Sequence, residues 1–305
     1  MIVTSMLSCF NLTQAEEQIS QKLIKNTANG QIDWFNKVIK VKGSGAPSDT
    51  GGAAQRRLKA RVAARMEAYR NLAETINGVQ ISSETNVKNF MVTNDSIRLR
   101  VDAVVKGARQ SGREKLLPDG TIEVELYLPM FGNGSLAGAL DLGNYAKNKS
   151  TLAYMLPFMV ASTNDFTIVE NSQPVKIAAD IPNNVTGLII DASTLGVEPA
   201  MSPFILGGGR IIYTGNKIDI DPETIVKYGI TDYTDSLEKA KKNLERIGNS
   251  PLIIQASGAT GKPSRTNILL DELSIKNILD ANQKSNFLTK RWQVHKIKRE
   301  QLLFP

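Results

Sequence analysis

Few residues in this chain have the types and spacing that chemistry needs. Its 305 residues include one cysteine, Cys9, and one histidine, His295. A single cysteine forms no internal disulfide, and one histidine with scattered carboxylates is a poor ligand set for zinc. Catalysis centred on His or Cys is nearly excluded by the same count. The stretch Gly258-Ala259-Thr260-Gly261-Lys262-Pro263-Ser264 superficially matches a phosphate-binding loop. That loop needs four residues between its glycines, then Gly-Lys-Ser/Thr opening a helix. Here Ala259 and Thr260 alone intervene, and Pro263 removes an amide donor. The stretch reads as a loop between strands. Gly207-Gly208-Gly209 lacks GxGxxG spacing and reads as a turn. Asp33, Asp119, Asp191, Asp219 and Asp221 fall at expected turns and strand ends, and no spacing brings two of them together for acid–base work. No catalytic, cofactor-binding or metal-ligating residue is assigned, and no cofactor. The chain reads as a non-enzyme.

What remains is charge. The net charge is +7 and the pI about 9.3, a balance that attracts anionic surfaces. Arg56, Arg57, Lys59, Arg61, Arg65 and Arg70 cluster on one helical stretch, and Lys290, Arg291, Trp292, Lys296, Lys298 and Arg299 make the tail basic. On a helical wheel the first set does not form one stripe, and Arg65 falls inside the apolar arc. Both sets read as solvated faces, the tail as an edge strand protected by lysines, and nucleic acid is not an expected partner.

The elements that carry these residues follow from periodicity. Hydrophobic content of 41% with 22% charge describes a globular chain long enough for two domains. The strongest signal is a helix over 53–76, where Leu58, Val62, Met66, Tyr69, Leu72, Ala73 and Ile76 recur at helical steps and predict the core-facing stripe. Asn77-Gly78 stops it. Before it, residues 31–42 predict a long strand with a bulge; after it, 79–83 and 86–92 predict strands and 96–108 a helix. Pro118-Asp119-Gly120 turns a hairpin between 114–117 and 121–128. Residues 132–150 predict a flexible or partly helical joint, and 151–164 an apolar docking segment. Beyond it come strands at 166–181, 186–192, 204–206, 210–213, 252–256, 267–270 and 288–296. Helices are predicted from Asp221, over 235–247 and over 272–282. The fold class expected is α+β, with two small domains, each a mainly antiparallel sheet packed with helices.

At the N-terminus, MIVTSMLSCFNLTQ is apolar and too short to span a membrane. It resembles the apolar part of a secretory signal, and Met6-Leu7-Ser8-Cys9 loosely resembles a lipoprotein box. No later run is long enough for a membrane span.

Residues 30–131 carry a resemblance. GQIDWFNKVIKVKGSGAP, then EAYRNLAETINGVQI, then IRLRVDAVVKGAR and LLPDGTIEVELYLPM resemble the small outer-membrane lipoprotein domain family of flagellar FlgP and the N-terminal domain of FlgT. TGLIIDASTLGVEPAMSPFIL is similar to a segment in longer relatives of that envelope family. The resemblance implies a non-enzymatic structural or assembly protein of the periplasm or outer-membrane periphery, at its narrowest a component associated with the flagellar motor ring. Its implied partners are envelope or flagellar proteins and further copies of the chain. With the apolar N-terminus and the Gly-rich joint, the expected division is 1–15, export signal; 16–131, FlgP/FlgT-N-like α+β domain; 132–165, linker and docking segment; 166–305, second α+β domain. The rival reading is a periplasmic binding module for an anionic ligand or polymer.

Overall fold

The computed structural model describes residues 23–146, 184–208, 210–213, 220–290 and 294–297. The expected export signal, the apolar segment at 151–164 and the strands at 166–181 lie outside them. Helices and sheets combine in both regions, so the α+β class holds.

The first region is an antiparallel sheet crossed by one long helix. Its strands are β1 (Ile24–Asn26), β2 (Gly30–Asp33), β3 (Val38–Gly45), β4 (Arg109–Gln110), β5 (Lys115–Leu116) and β6 (Ile122–Pro129). They lie in the order β1-β2-β3-β6-β4, with β5 also paired to β6. The single strand expected at 31–42 is in fact a hairpin. The Asp33 carboxylate takes the Asn36 amide at 2.8 Å and the Asn36 side chain at 2.7 Å, and Lys37 adopts φ 56, so the chain reverses there.

Helix α1 (Ala53–Asn77) lies across β3 and β6. Its orientation differs from the sequence expectation. Ala60, Ala64, Ala68, Leu72, Thr75 and Ile76 are buried, whereas Leu58, Val62 and Met66 are 55%, 54% and 65% exposed. The reason lies in β3, whose helix-facing residues end in Gly43 and Gly45. A Cβ on Gly45 would meet Ala60 O and come within 2.6 Å of Ala64 N; one on Gly43 would meet Ala64 O and come within 2.8 Å of Ala68 Cα. Strand and helix backbones approach so closely that only alanine fits the facing positions.

Residues 79–83 form no strand but an irregular run with one bridge, Gln80 to Asn86. The strand expected at 86–92 is helix α2 (Val87–Val92), because the Asn86 side chain caps it by accepting the Asn89 amide at 2.9 Å. Helix α3 (Asp95–Lys106) is capped by Asn94 and buries Ile97, Val101 and Val105. The Pro-Asp-Gly hairpin forms as expected, with the Leu117 amide donating to Thr121 O and that of Gly120 to Leu117 O. After it, Ser135 caps α4 (Leu136–Ala139), and 142–146 is helical, with Leu136, Leu140 and Leu142 fully buried.

The second region holds two sheets. One runs β10 (Thr231–Thr234), β14 (Val294–Ile297), β7 (Gly187–Asp191), β11 (Pro251–Gln255), every neighbour parallel. The other runs β12 (Gly258–Thr260), β13 (Asn267–Leu269), β8 (Ile205–Gly207), β9 (Arg210–Tyr213), with antiparallel pairs at its ends and a parallel pair between. Parallel pairing here follows from the long connections between neighbouring strands, which hairpins cannot supply. β7 shows its cost and signature. Leu188 and Ile190 face the main core while Ile189 packs on Ala240 and Ile247, so the strand is apolar on both faces.

Helix α5 (Pro222–Tyr228) starts at the Asp221 cap as expected. The helix expected over 235–247 is broken at Asn243 into α6 (Leu237–Lys242), capped by Ser236, and α7 (Leu244–Ile247). Helix α8 (Glu272–Ser285) is capped by Asp271. The final strand expected over 288–296 is α9 (Phe287–Lys290) followed by β14, which lies inside its sheet between β10 and β7 and not at an edge. One hydrophobic cluster runs through both regions.

Candidate functional site

The polar residues singled out from sequence are consumed locally. Asp33 and Asp191 tie turns, the latter accepting the Ser193 amide at 2.9 Å. Asp119 accepts the amide and hydroxyl of Thr121, which hold its carboxyl below the usual range. Asp221 caps α5 through the Thr224 amide. Asp219 lies outside the described residues. The structure brings none of the described four together, and among the described residues no group of His, Cys, Asp and Glu is arranged to hold a metal ion. Gly258–Thr260 is strand β12, and the loop after it packs on the first region: Ser264 donates its amide to Ser83 O at 3.2 Å. An amide spent in this way does not cradle a phosphate. Gly207-Gly208 turns the β8–β9 hairpin, with Gly208 at φ 55.

The residues brought together instead build a seam between the two regions. Met201 and Ser202 donate their amides to Gln80 O and Ile81 O at 2.9 and 2.7 Å, extending the irregular run after α1 with a backbone ladder. Buried Asn267 donates to Ser83 Oγ at 3.0 Å and accepts the Phe204 amide at 3.1 Å. At the other end, the β2–β3 turn enters the second region. Trp34 meets the edge of Tyr233 at 5.8 Å, and Tyr233, whose phenol is pushed up by burial, donates to Ala200 O at 2.8 Å. Lys37 Nζ lies 2.5 Å from Asp232 Oδ1, an ion pair not aligned as a hydrogen bond. Arg246 approaches the other oxygen of Asp232 at 3.6 Å and donates to Tyr228 O and Gly229 O. Nearby, Asp235 takes Lys239 on one oxygen, while its other oxygen and the Thr234 hydroxyl are buried without a hydrogen-bond partner.

The surface of α1 is the second assembly. Arg61 grips Glu114 with two 2.5 Å hydrogen bonds, with Arg57 3.7 Å from the same carboxylate, and so ties the helix to the chain between β4 and β5. The hydrogen bonds from Arg61 hold the Glu114 carboxyl below its usual range, and the Ser44 amide does the same for Glu67. Arg65, expected against the core, is exposed and reaches Gln110 at 3.3 Å. Both carboxyls have folded values below the unfolded ones. Their contribution to stability is complete above the ordinary glutamate range and is lost as pH falls through the folded values. Glu114→Gln should therefore lower the unfolding midpoint at neutral pH and flatten its fall below about pH 4.3. Thermal unfolding followed down to about pH 3 checks this, and parallel curves for the two proteins would refute it.

Residues 47–128, from the loop before α1 to near the end of β6, match the LPP20 lipoprotein family. Residues 187–295, from β7 into β14, match the second domain of Treponema pallidum Tp0624. No curated protein matches the chain. The seam thus joins two regions that match different families, the first of them similar to a bacterial lipoprotein-type domain.

Proposed function

We propose that this protein is an exported, non-enzymatic component of the bacterial envelope, working in the periplasm or at the outer-membrane periphery through contacts with envelope proteins and with copies of itself. The observation that carries the reading is the lipoprotein-family match over 47–128. It is supported by the internal use of the polar side chains, and no helix of the described residues is long and apolar enough to cross a membrane. The domain division 1–15, 16–131, 132–165 and 166–305 goes with this proposal. The narrower version, a component associated with the flagellar motor ring, rests on the resemblance of residues 30–131 to FlgP and FlgT. Cell fractionation with mass spectrometry of the mature N-terminus tests the proposal. An envelope or periplasmic protein with a processed N-terminus is the expected result; a cytosolic protein with residues 1–15 intact overturns it. Absence from purified motor assemblies removes the narrower version alone. The rival reading, a module for an anionic ligand or polymer, is favoured by the exposed cations of α1, Arg56, Lys59 and Arg65.

A further inference from the structure

Leu58, Val62 and Met66 stand four residues apart on α1 and are more than half exposed. At 3.6 residues per turn they form one short row about 12 Å long. A cation stands on each side of that row: Arg65 borders it towards the sheet, and Lys59 borders it on the other side, with Arg56 beyond. The carboxylates within reach are already engaged, Glu67 by Ser44 and Arg70, Glu74 by Asn29, and Glu114 by Arg61. The face therefore offers apolar side chains and cations together.

We propose that this face of α1 docks on an anionic lipid surface, with Leu58, Val62 and Met66 entering the acyl boundary and Lys59 and Arg65 meeting the headgroups. The pattern is that of an interfacial helix: an apolar row between cations, on an element held rigidly at its back by the alanine seam. Charge decides against a second copy as the occupant, because two such faces would bring arginines against arginines. Shape disfavours a folded protein, because a convex row of three flexible side chains offers little complementary area, whereas a bilayer needs none. The proposal takes the cations of the rival reading further and is independent of export.

The test uses the full chain with unmodified Cys9, confirmed by mass, and sedimentation with vesicles. Wild type should bind vesicles of equimolar phosphatidylglycerol and phosphatidylcholine and leave vesicles of phosphatidylcholine alone in suspension. Binding should weaken with salt. Leu58→Gln/Val62→Gln/Met66→Gln, all at exposed positions, should keep the wild-type melting curve and lose binding at least tenfold. Lys59→Gln and Arg65→Gln should each cost about fivefold. Three results would overturn the proposal: no binding by wild type, undiminished binding by the triple variant, or a change of oligomeric mass in that variant. Undiminished binding of the triple variant with loss in the lysine and arginine variants would leave the anionic-ligand reading standing without the lipid face. Failure of wild type on both the vesicles and soluble polyphosphate would remove both.

Discussion

Ala64→Leu should strongly destabilise the first region and lower its urea midpoint. Ala60, Ala64 and Ala68 are fully buried and face Gly43 and Gly45, where even a methyl group on the strand would overlap the helix backbone. Leucine at position 64 adds three carbon atoms to a seam with no room for one. Overpacking of a rigid core costs about 1–3 kcal/mol and more where neither side is able to move. Here both sides are backbone, so the cost falls at or above the top of that range. A domain is stable by only about 5–15 kcal/mol in all. Gly45→Val should act in the same way from the strand side. Val62→Leu, on the opposite face of the same helix, should stay within about 0.5 kcal/mol of wild type. Urea unfolding followed by circular dichroism checks the series. An Ala64→Leu protein with an unchanged midpoint would mean that the helix is not seated on β3 through its alanines.

This seam also shows what the sequence made legible. The helix itself was plain, expected at 53–76 and found at Ala53–Asn77. Its facing was not, because periodicity reports that apolar residues share a face and not which neighbour that face meets. Larger residues dominate such a stripe, yet the close approach of the strand selected the smaller ones. The signal existed in the alanines at 60, 64 and 68 set against glycines at 43 and 45. The Asn86 side chain turned a strand-compatible run into α2 by capping it, a local hydrogen bond that outweighs strand propensity. Hairpin punctuation located β5–β6 and β8–β9 well. It was silent on the parallel sheet, whose neighbours are set by distant pairing, although the unbroken run Leu188-Ile189-Ile190 is what burial on both faces requires. The same limit hid the seam. Nothing in the spacing of Lys37, Asp232 and Arg246 announces that they meet. The stretch Gly258–Ser264 reads as a loop from its two-residue glycine spacing and Pro263, and it is one only from Gly261 on, because Gly258–Thr260 pairs as β12.

Asp232→Ala should destabilise the second region and loosen its contact with the β2–β3 turn. Asp232 is the shared counter-charge of Lys37, from the β2–β3 turn, and of Arg246, which is 8% exposed. Removing it leaves a guanidinium buried with carbonyl contacts only, and breaking a buried pair in this way costs about 3–5 kcal/mol. Arg246→Met should be damaging for a different reason, since Tyr228 O and Gly229 O at the end of α5 lose their donors. The double variant Asp232→Leu/Arg246→Met should cost less than the sum of the single changes, because each single change strands a charge that the double change removes. The location of the cost matters as much as its size. Lys37 belongs to one region and Asp232 to the other, so the Lys37 ion pair is lost from the seam, while the Arg246 pair is lost from within the second region beside the Trp34–Tyr233 contact. Wild type should unfold in one transition, because one hydrophobic cluster runs through both regions. With Trp292 replaced by phenylalanine, Trp34 is the remaining tryptophan, and its fluorescence reports the contact with Tyr233. In Asp232→Ala that fluorescence should change at lower urea than the circular dichroism of the helices. Coincident transitions at the wild-type midpoint would show that the charge cluster does not hold the regions together, and that the backbone ladder between Gln80-Ile81 and Met201-Ser202 suffices.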